Sequence, residues 1–222
     1  PTPFQYPSWA KETIHLKDRI TPADLQIHVD PHLSEVQARV ILPGSPREVT
    51  IETLPVNDGI VHPELARNIN STAVVERHKG TGNIGKALIS GMGIHSGALA
   101  SSVNHDAHNI YVCGANFEDM ALAVNRLAEI GGGYVAARDG KVIGEVPFPI
   151  AGLLSEEPID IVADQLNNLE KVMKEELGLS IPYRPLYELN FSCLPNRPNY
   201  GFTDKGLFSS HEMSVVETVV SR

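Results

Sequence analysis

Proline fixes φ and removes a backbone donor, so the placement of prolines limits how far any strand or helix can run. Nine of the 16 prolines lie between Pro1 and Pro63. Only short strands fit between them, read at residues 25–29, 35–42 and 48–54, with turns at Pro43-Gly44-Ser45-Pro46 and Asn57-Asp58-Gly59. So few short strands bury too little to stand alone, and residues 1–70 are expected to lean on another layer. Phe4, Tyr6 and Trp9 are the expected anchors of the N-terminal arm.

Residues 71–222 read as a second unit. Thr72-Ala73-Val74-Val75 is a buried strand, residues 86–90 a short helix, and Ile110-Tyr111-Val112-Cys113 another strand. Asn116 can cap a helix in which Phe117, Met120, Val124 and Leu127 recur at helical spacing, ended by Gly131-Gly132-Gly133. A hairpin over residues 134–146 turns on Asp139-Gly140. The longest helix carries Ile159, Val162, Leu166, Leu169, Met173 and Leu177 on one stripe and stops at Gly178. Residues 186–194 read as a strand, and Thr203 to Phe208 as a turn delivering an apolar contact. This order is not a strict βαβ alternation. It predicts an α+β fold with a mostly antiparallel sheet and two or three packing helices, preceded by a small β-rich, proline-punctuated segment.

Chemistry concentrates in residues 100–109, Ala-Ser-Ser-Val-Asn-His-Asp-Ala-His-Asn. His105, Asp106 and His108 are the catalytic candidates: imidazoles move protons, and a carboxylate can orient one or ligate a metal. In an extended segment the two histidines would point to opposite faces, so their joint use requires a turn. The competing reading is a polar turn whose Asp and Asn cap their own backbone. Glu76, His78, Ser101, Ser102 and Asn109 are the neighbouring groups assigned to hold substrate, with Asn109 mainly fixing the turn.

Gly80-Thr81-Gly82-Asn83-Ile84-Gly85 matches the dinucleotide fingerprint G-x-G-x-x-G. Against that reading, Glu76-Arg77-His78-Lys79 separates the apolar strand from the first glycine, where the fingerprint needs an immediate tight turn. The alternatives are a glycine turn that lets backbone pass backbone, or a loop placing Glu76, Arg77 and His78 beside a ligand.

A formal net charge of −9 and a pI near 5.4 argue against nucleic acid or an anionic membrane as partner. No apolar run reaches the ~20 residues of a membrane span, and the first residues form no export signal. Cys113 and Cys193 have no second cysteine nearby, so a reducing cytoplasm is the expected setting. The chain does not begin with Met, which fits processing or a piece of a longer polypeptide.

Several blocks, in order, resemble the C-terminal region of bacterial-type adenine deaminase. They are VERHKGTGNIG (75–85), GALASSV (97–103) running into His105-Asp106-Ala107-His108-Asn109, and PFPIAGL (147–153), with further similarity over 118–133 and 202–208. The resemblance implies an amidohydrolase whose metal-bearing (β/α)8 barrel converts adenine to hypoxanthine and ammonia. In that chemistry a metal activates water, and a carboxylate or His carries the proton to the leaving amine. This chain has no H-x-H strand and is too short for a barrel of typically ~250 residues. The resemblance therefore places the barrel and its divalent metal, manganese or iron, outside this chain, with residues 1–70 following the barrel. No metal ligand is assigned here. The implied partners are that barrel, adenine, and further copies of the chain. Two other readings stay open: a self-sufficient small metal-dependent hydrolase using His105, Asp106 and His108 with Glu76 and His78, and a non-catalytic binding or oligomerisation module.

Overall fold

The computed structural model describes residues 5–181 and 185–221, so Phe4 lies outside the described residues. In chain order the elements are α1 (Pro22–Leu25), β1 (Ile27–His28), β2 (Glu35–Ile41), β3 (Val49–Asn57), β4 (Ile60–Val61), β5 (Ile69–Val75), β6 (Ile84–Ser90), β7 (Ala98–Ser101), β8 (Ile110–Gly114), α2 (Phe117–Glu129), β9 (Gly133–Arg138), β10 (Lys141–Pro147), α3 (Ile159–Glu175), α4 (Pro185–Phe191), β11 (Tyr200–Thr203), β12 (Gly206–Ser209), β13 (Ser214–Val216) and β14 (Val219–Ser221). The main sheet runs β1-β4-β3-β2-β6-β5-β8-β7-β9-β10, and β14 adds to β2. Neighbours are antiparallel except β2 with β6. A second sheet, β11-β12-β13, is antiparallel. The fold is thus α+β with a mostly antiparallel sheet, and strands on both sides of residue 70 share that sheet.

Alternation of side chains along the central strands explains the layering. Val74, Leu99, Tyr111, Cys113 and Ala136 join a core with Leu169, Met173 and Leu189 of α3 and α4. Ala73, Val75, Ala98, Ala100, Val112 and Ala137 join the opposite core with Phe117, Met120, Val124 and Leu127 of α2. With both faces covered, these strands read as continuous apolar runs although their pairing is antiparallel. The alanines on the α2 side leave space for that helix to lie close. Asn116 Oδ1 accepts from Asp119 N at 2.7 Å, as the capping reading requires. The β9–β10 hairpin turns on Asp139 and Gly140 at φ 53° and 71°.

Four local expectations are corrected. Residues 86–90 lie in β6, not a helix: the segment pairs with β5 along its whole length, and Ala87 and Ile89 enter one core while Leu88 enters another. Residues 22–25 form a helical turn, with Asp24 accepting from both the N–H and hydroxyl of Thr21, so strand β1 begins only at Ile27. Residues 185–191 form helix α4 rather than a strand; Pro185 opens it, where a missing N–H costs nothing, and Leu189 is fully buried. Trp9 is 73% exposed, and Ile14, Leu16, Ile20 and Leu25 attach the arm to the α2 core instead. Among the described residues, no helix is long and apolar enough to cross a membrane.

Candidate active site

Strand register brings three loops to one end of the main sheet. Val75 pairs with Ile110, and Ser101 pairs with Tyr134, so loops 76–83, 102–109 and 130–132 leave the sheet side by side. Residues 102–109 make the turn that joint use of the histidines requires, with His108 in the left-handed region at φ 51°. The His105 and His108 ring centroids lie 5.8 Å apart, and His105 stacks on Phe191 at 4.5 Å. His78 reaches in from the neighbouring loop, its Nε2 2.8 Å from the Ala107 carbonyl oxygen. Asp106 Oδ1 stands 4.0 Å from His105 Nδ1 on a largely exposed side chain, too far for a hydrogen bond.

Burial pushes the His108 imidazole below its ordinary pKa, and the positive fields of His105, Arg77 and His78 deepen the shift against the pull of Asp106. Its Nδ1 is buried without a hydrogen-bond partner. A neutral imidazole with an uncommitted nitrogen can take or pass a proton near neutral pH.

The other assigned residues are occupied by the fold. Glu76 Oε1 accepts from the N–H groups of His78 and Lys79 at 2.6 and 2.8 Å, and Oε2 accepts from Thr81 N and Thr81 Oγ1 at 2.9 and 3.0 Å. Burial raises its pKa, but these four donors outweigh burial and hold it at about 2. Ser101 Oγ donates to Asn190 Oδ1 and accepts from Val103 N. Ser102 Oγ donates to the Gly152 carbonyl at 2.6 Å and accepts from Gly133 N at 2.8 Å. Both serines are fully buried. Asn109 Oδ1 accepts from Arg77 N, and its Nδ2 donates to Asp204 Oδ1, each at 3.4 Å.

Three groups outside the assigned set hold the histidine turn. Arg77, 2% exposed, donates Nε to the His108 carbonyl, Nη1 to the Thr13 carbonyl and Nη2 to the Ala151 carbonyl, joining four segments. Its loop position was legible in the sequence; its carbonyl partners were not. Asn190 accepts His105 N at its backbone carbonyl and donates Nδ2 to Tyr134 Oη. Asp204 Oδ2 accepts from Asn83 Nδ2, tying the glycine loop to the turn. The signal for Asp204 lay in the Thr203-Asp204-Lys205-Gly206 block, whereas Asn190 and Phe191 sat on a segment read as a strand.

The glycine string leads into β6, so the helix that would carry a pyrophosphate is absent and the dinucleotide reading fails. A Cβ on Gly85 would stand 1.9 Å from the Thr203 carbonyl oxygen, so this glycine serves close backbone passage. Among the described residues, no three His, Cys, Asp or Glu side chains converge so that they could share a metal ion.

Fold and cluster together define an α+β domain with imidazoles gathered at one end of its sheet and no three-ligand metal cage among the described residues. A family model for the adenine deaminase C-terminal domain matches residues 46–214, and the chain belongs to that family. It is 39% identical over 222 residues to an adenine deaminase of Clostridium botulinum (strain Loch Maree / Type A3), covering 98% of this chain and 36% of that protein. An adenine deaminase of Moorella thermoacetica is 38% identical over 96% of this chain and 36% of its own length. One of Brucella melitensis biotype 1 is 46% identical over 75% of this chain and 29% of its own. The chain thus spans about a third of the length of these relatives.

Proposed function

We propose that this chain is the C-terminal part of an adenine deaminase, a hydrolase that converts adenine to hypoxanthine and ammonia in cytoplasmic purine salvage or catabolism. The observation that carries the reading is the relation to adenine deaminases over 98% of the chain. In this proposal the remaining length of the enzyme supplies the amidohydrolase barrel and its manganese or iron, whose role is to activate water, and the complete enzyme assembles as a homo-oligomer.

The histidine turn forms one wall of the active site. His108, neutral and with an open Nδ1, accepts or relays the proton bound for the leaving amine. His105 and His78 flank it, and Asp106 favours the charged state formed as the proton passes. Ser101, Ser102, Asn109 and Glu76 act on substrate indirectly, by fixing the two loops.

The test is His105→Ala, Asp106→Ala and His108→Ala in a complete enzyme carrying this sequence, with turnover, bound metal and unfolding midpoint measured together. Loss of a positioned proton-transfer group lowers turnover by ~10²–10⁴-fold, with metal content kept because the ligands lie elsewhere. If all three variants keep turnover and lose only stability, the turn is structural. Ammonia release from adenine by the isolated, metal-replete chain would refute the need for the barrel.

A further inference from the structure

Phe191, whose ring backs His105, also lines a cavity of about 360 Å³. Ile41, Ile89 and Met92 give it an apolar lining, to which the two arginines Arg47 and Arg197 are added. Its size suits a small organic ligand, since such pockets run from roughly 300 Å³ upward.

Arg47 is 2% exposed, yet among the described residues its side chain makes one hydrogen bond, Nη2 to the Phe191 carbonyl at 2.9 Å, and its Nη1 is buried without a partner. Arg197 donates Nη1 to the Gly44 carbonyl and leaves its Nε buried and unpartnered. Among the described residues neither arginine forms an ion pair, although Glu188 lines the same cavity. Arg77 makes the contrast: equally buried, it spends all three guanidinium nitrogens on the chain's own acceptors. Burial, helped by the nearby Arg197, lowers the pKa of Arg47 only to about 10, so it stays charged at neutral pH. A buried cation with an open donor is costly, and an anion placed against it would recover much of that cost.

We propose that this cavity binds a small organic anion, with its carboxylate or phosphate against the guanidinium groups of Arg47 and Arg197 and an apolar or aromatic body against Ile41, Ile89, Met92 and Phe191. Carboxylate and phosphate both match the planar donors of arginine. Helix α4 carries Phe191 and also Asn190, which accepts from His105 N at 2.9 Å, so the anion site stands directly behind the histidine turn.

The probes are phenyl phosphate, benzoate, inorganic phosphate and neutral benzamide, titrated into the full chain by calorimetry while the methionine methyl resonances are followed. The expected result is that phenyl phosphate or benzoate binds and moves the methyl signal of Met92 but not that of the exposed Met213. Whichever of these two anions binds names the preferred head group, and inorganic phosphate binds more weakly for want of a body. Arg197→Met, at a half-buried position, and Arg47→Met, wherever its circular dichroism stays native, weaken binding about tenfold or more. Three results would overturn the proposal: no Met92 shift with either aromatic anion at about 10 mM, benzamide binding as tightly as the anions, or binding unchanged in Arg197→Met. A complete enzyme carrying this sequence provides a fourth. If it fails to bind what the chain binds, an acidic side chain from the rest of the enzyme fills the cavity, and the small-molecule assignment is wrong.

Discussion

Replacing Glu76 with Gln separates a loop-holding carboxylate from a substrate-binding one. The carboxylate accepts four hydrogen bonds, three of them from backbone N–H groups. A glutamine oxygen can keep His78 N and Lys79 N, but its amide nitrogen then faces Thr81 N, donor against donor. Losing a charge-assisted bond costs ~1.5–3 kcal/mol, and the Thr81 hydroxyl can turn to accept, so a net loss of about 2 kcal/mol is expected near pH 6. The pH dependence provides a second, independent sign. The folded pKa of about 2 lies below the ordinary 4.5, so this stabilisation is complete above 4.5 and is lost as pH falls toward 2. Linkage over that window gives at most about 1.4 kcal/mol lost by about pH 3.5, reduced to about 1 kcal/mol for screening by solvent at the loop surface. The variant has no carboxylate to protonate there. Urea unfolding of both proteins should therefore give a difference of about 2 kcal/mol near pH 6 that shrinks to about 1 kcal/mol near pH 3.5. A difference below about 0.5 kcal/mol, or one that ignores pH, refutes the reasoning. Collapse of turnover in the complete enzyme with stability unchanged would return Glu76 to the substrate.

Two further outcomes follow from the same end of the sheet. Gly85→Ala should lower stability by about 3 kcal/mol, because its methyl would meet the Thr203 carbonyl oxygen at 1.9 Å and Gly206 N at 2.7 Å; a thermal midpoint near wild type would show that the β11–β12 turn yields. His108→Asn keeps a residue tolerant of the left-handed φ of 51° while removing the imidazole. Since the folded pKa of His108 is depressed, the unfolded chain binds the proton more readily, and wild-type stability falls as pH drops through 6.5 toward the lower folded value. Thermal midpoints at about pH 7.5 and 5.5 should thus fall less in the variant than in wild type, and equal slopes would remove His108 as the source.

What could be read from the sequence followed from how far each signal runs. Helices α2 and α3 bury stripes long enough to fix the 3.6-residue period, and the β9–β10 turn needs the positive φ that Asp139-Gly140 supplies. Residues 86–90 and 185–191 are too short for a period to decide, and their partners decide instead: β6 is a strand because β5 and β2 flank it, and α4 a helix because Leu189 must reach the core. The histidine turn stood out as ionisable groups amid apolar strands. Which neighbours serve the fold and which remain open was not legible, because the deciding bonds span long separations: Arg77 to Thr13, Ser102 to Gly152 and Asn190 to Ser101.

Those bonds give the strongest physical argument that the turn is more than a cap. A self-capping polar turn satisfies its backbone with its own side chains. Here Asn104 does part of that, donating to the Ser101 and Asn109 carbonyls. The turn also closes on itself through His108 N to the Asn104 carbonyl, but three further bonds come from distant elements: Arg77 takes the His108 carbonyl, Asn190 takes His105 N, and Asp204 anchors Asn109. With the backbone fixed from outside, the ring nitrogens of His105 and His108 have no hydrogen-bond partner among the described residues, and His108 Nδ1 is buried as well. An uncommitted buried nitrogen is a cost that folding alone does not require. It lies beside two other imidazoles, on a turn held by Arg77 of the loop after β5, Asn190 of α4 and Asp204 of the β11–β12 turn, and the proton-transfer role proposed above requires such an open nitrogen on a fixed turn.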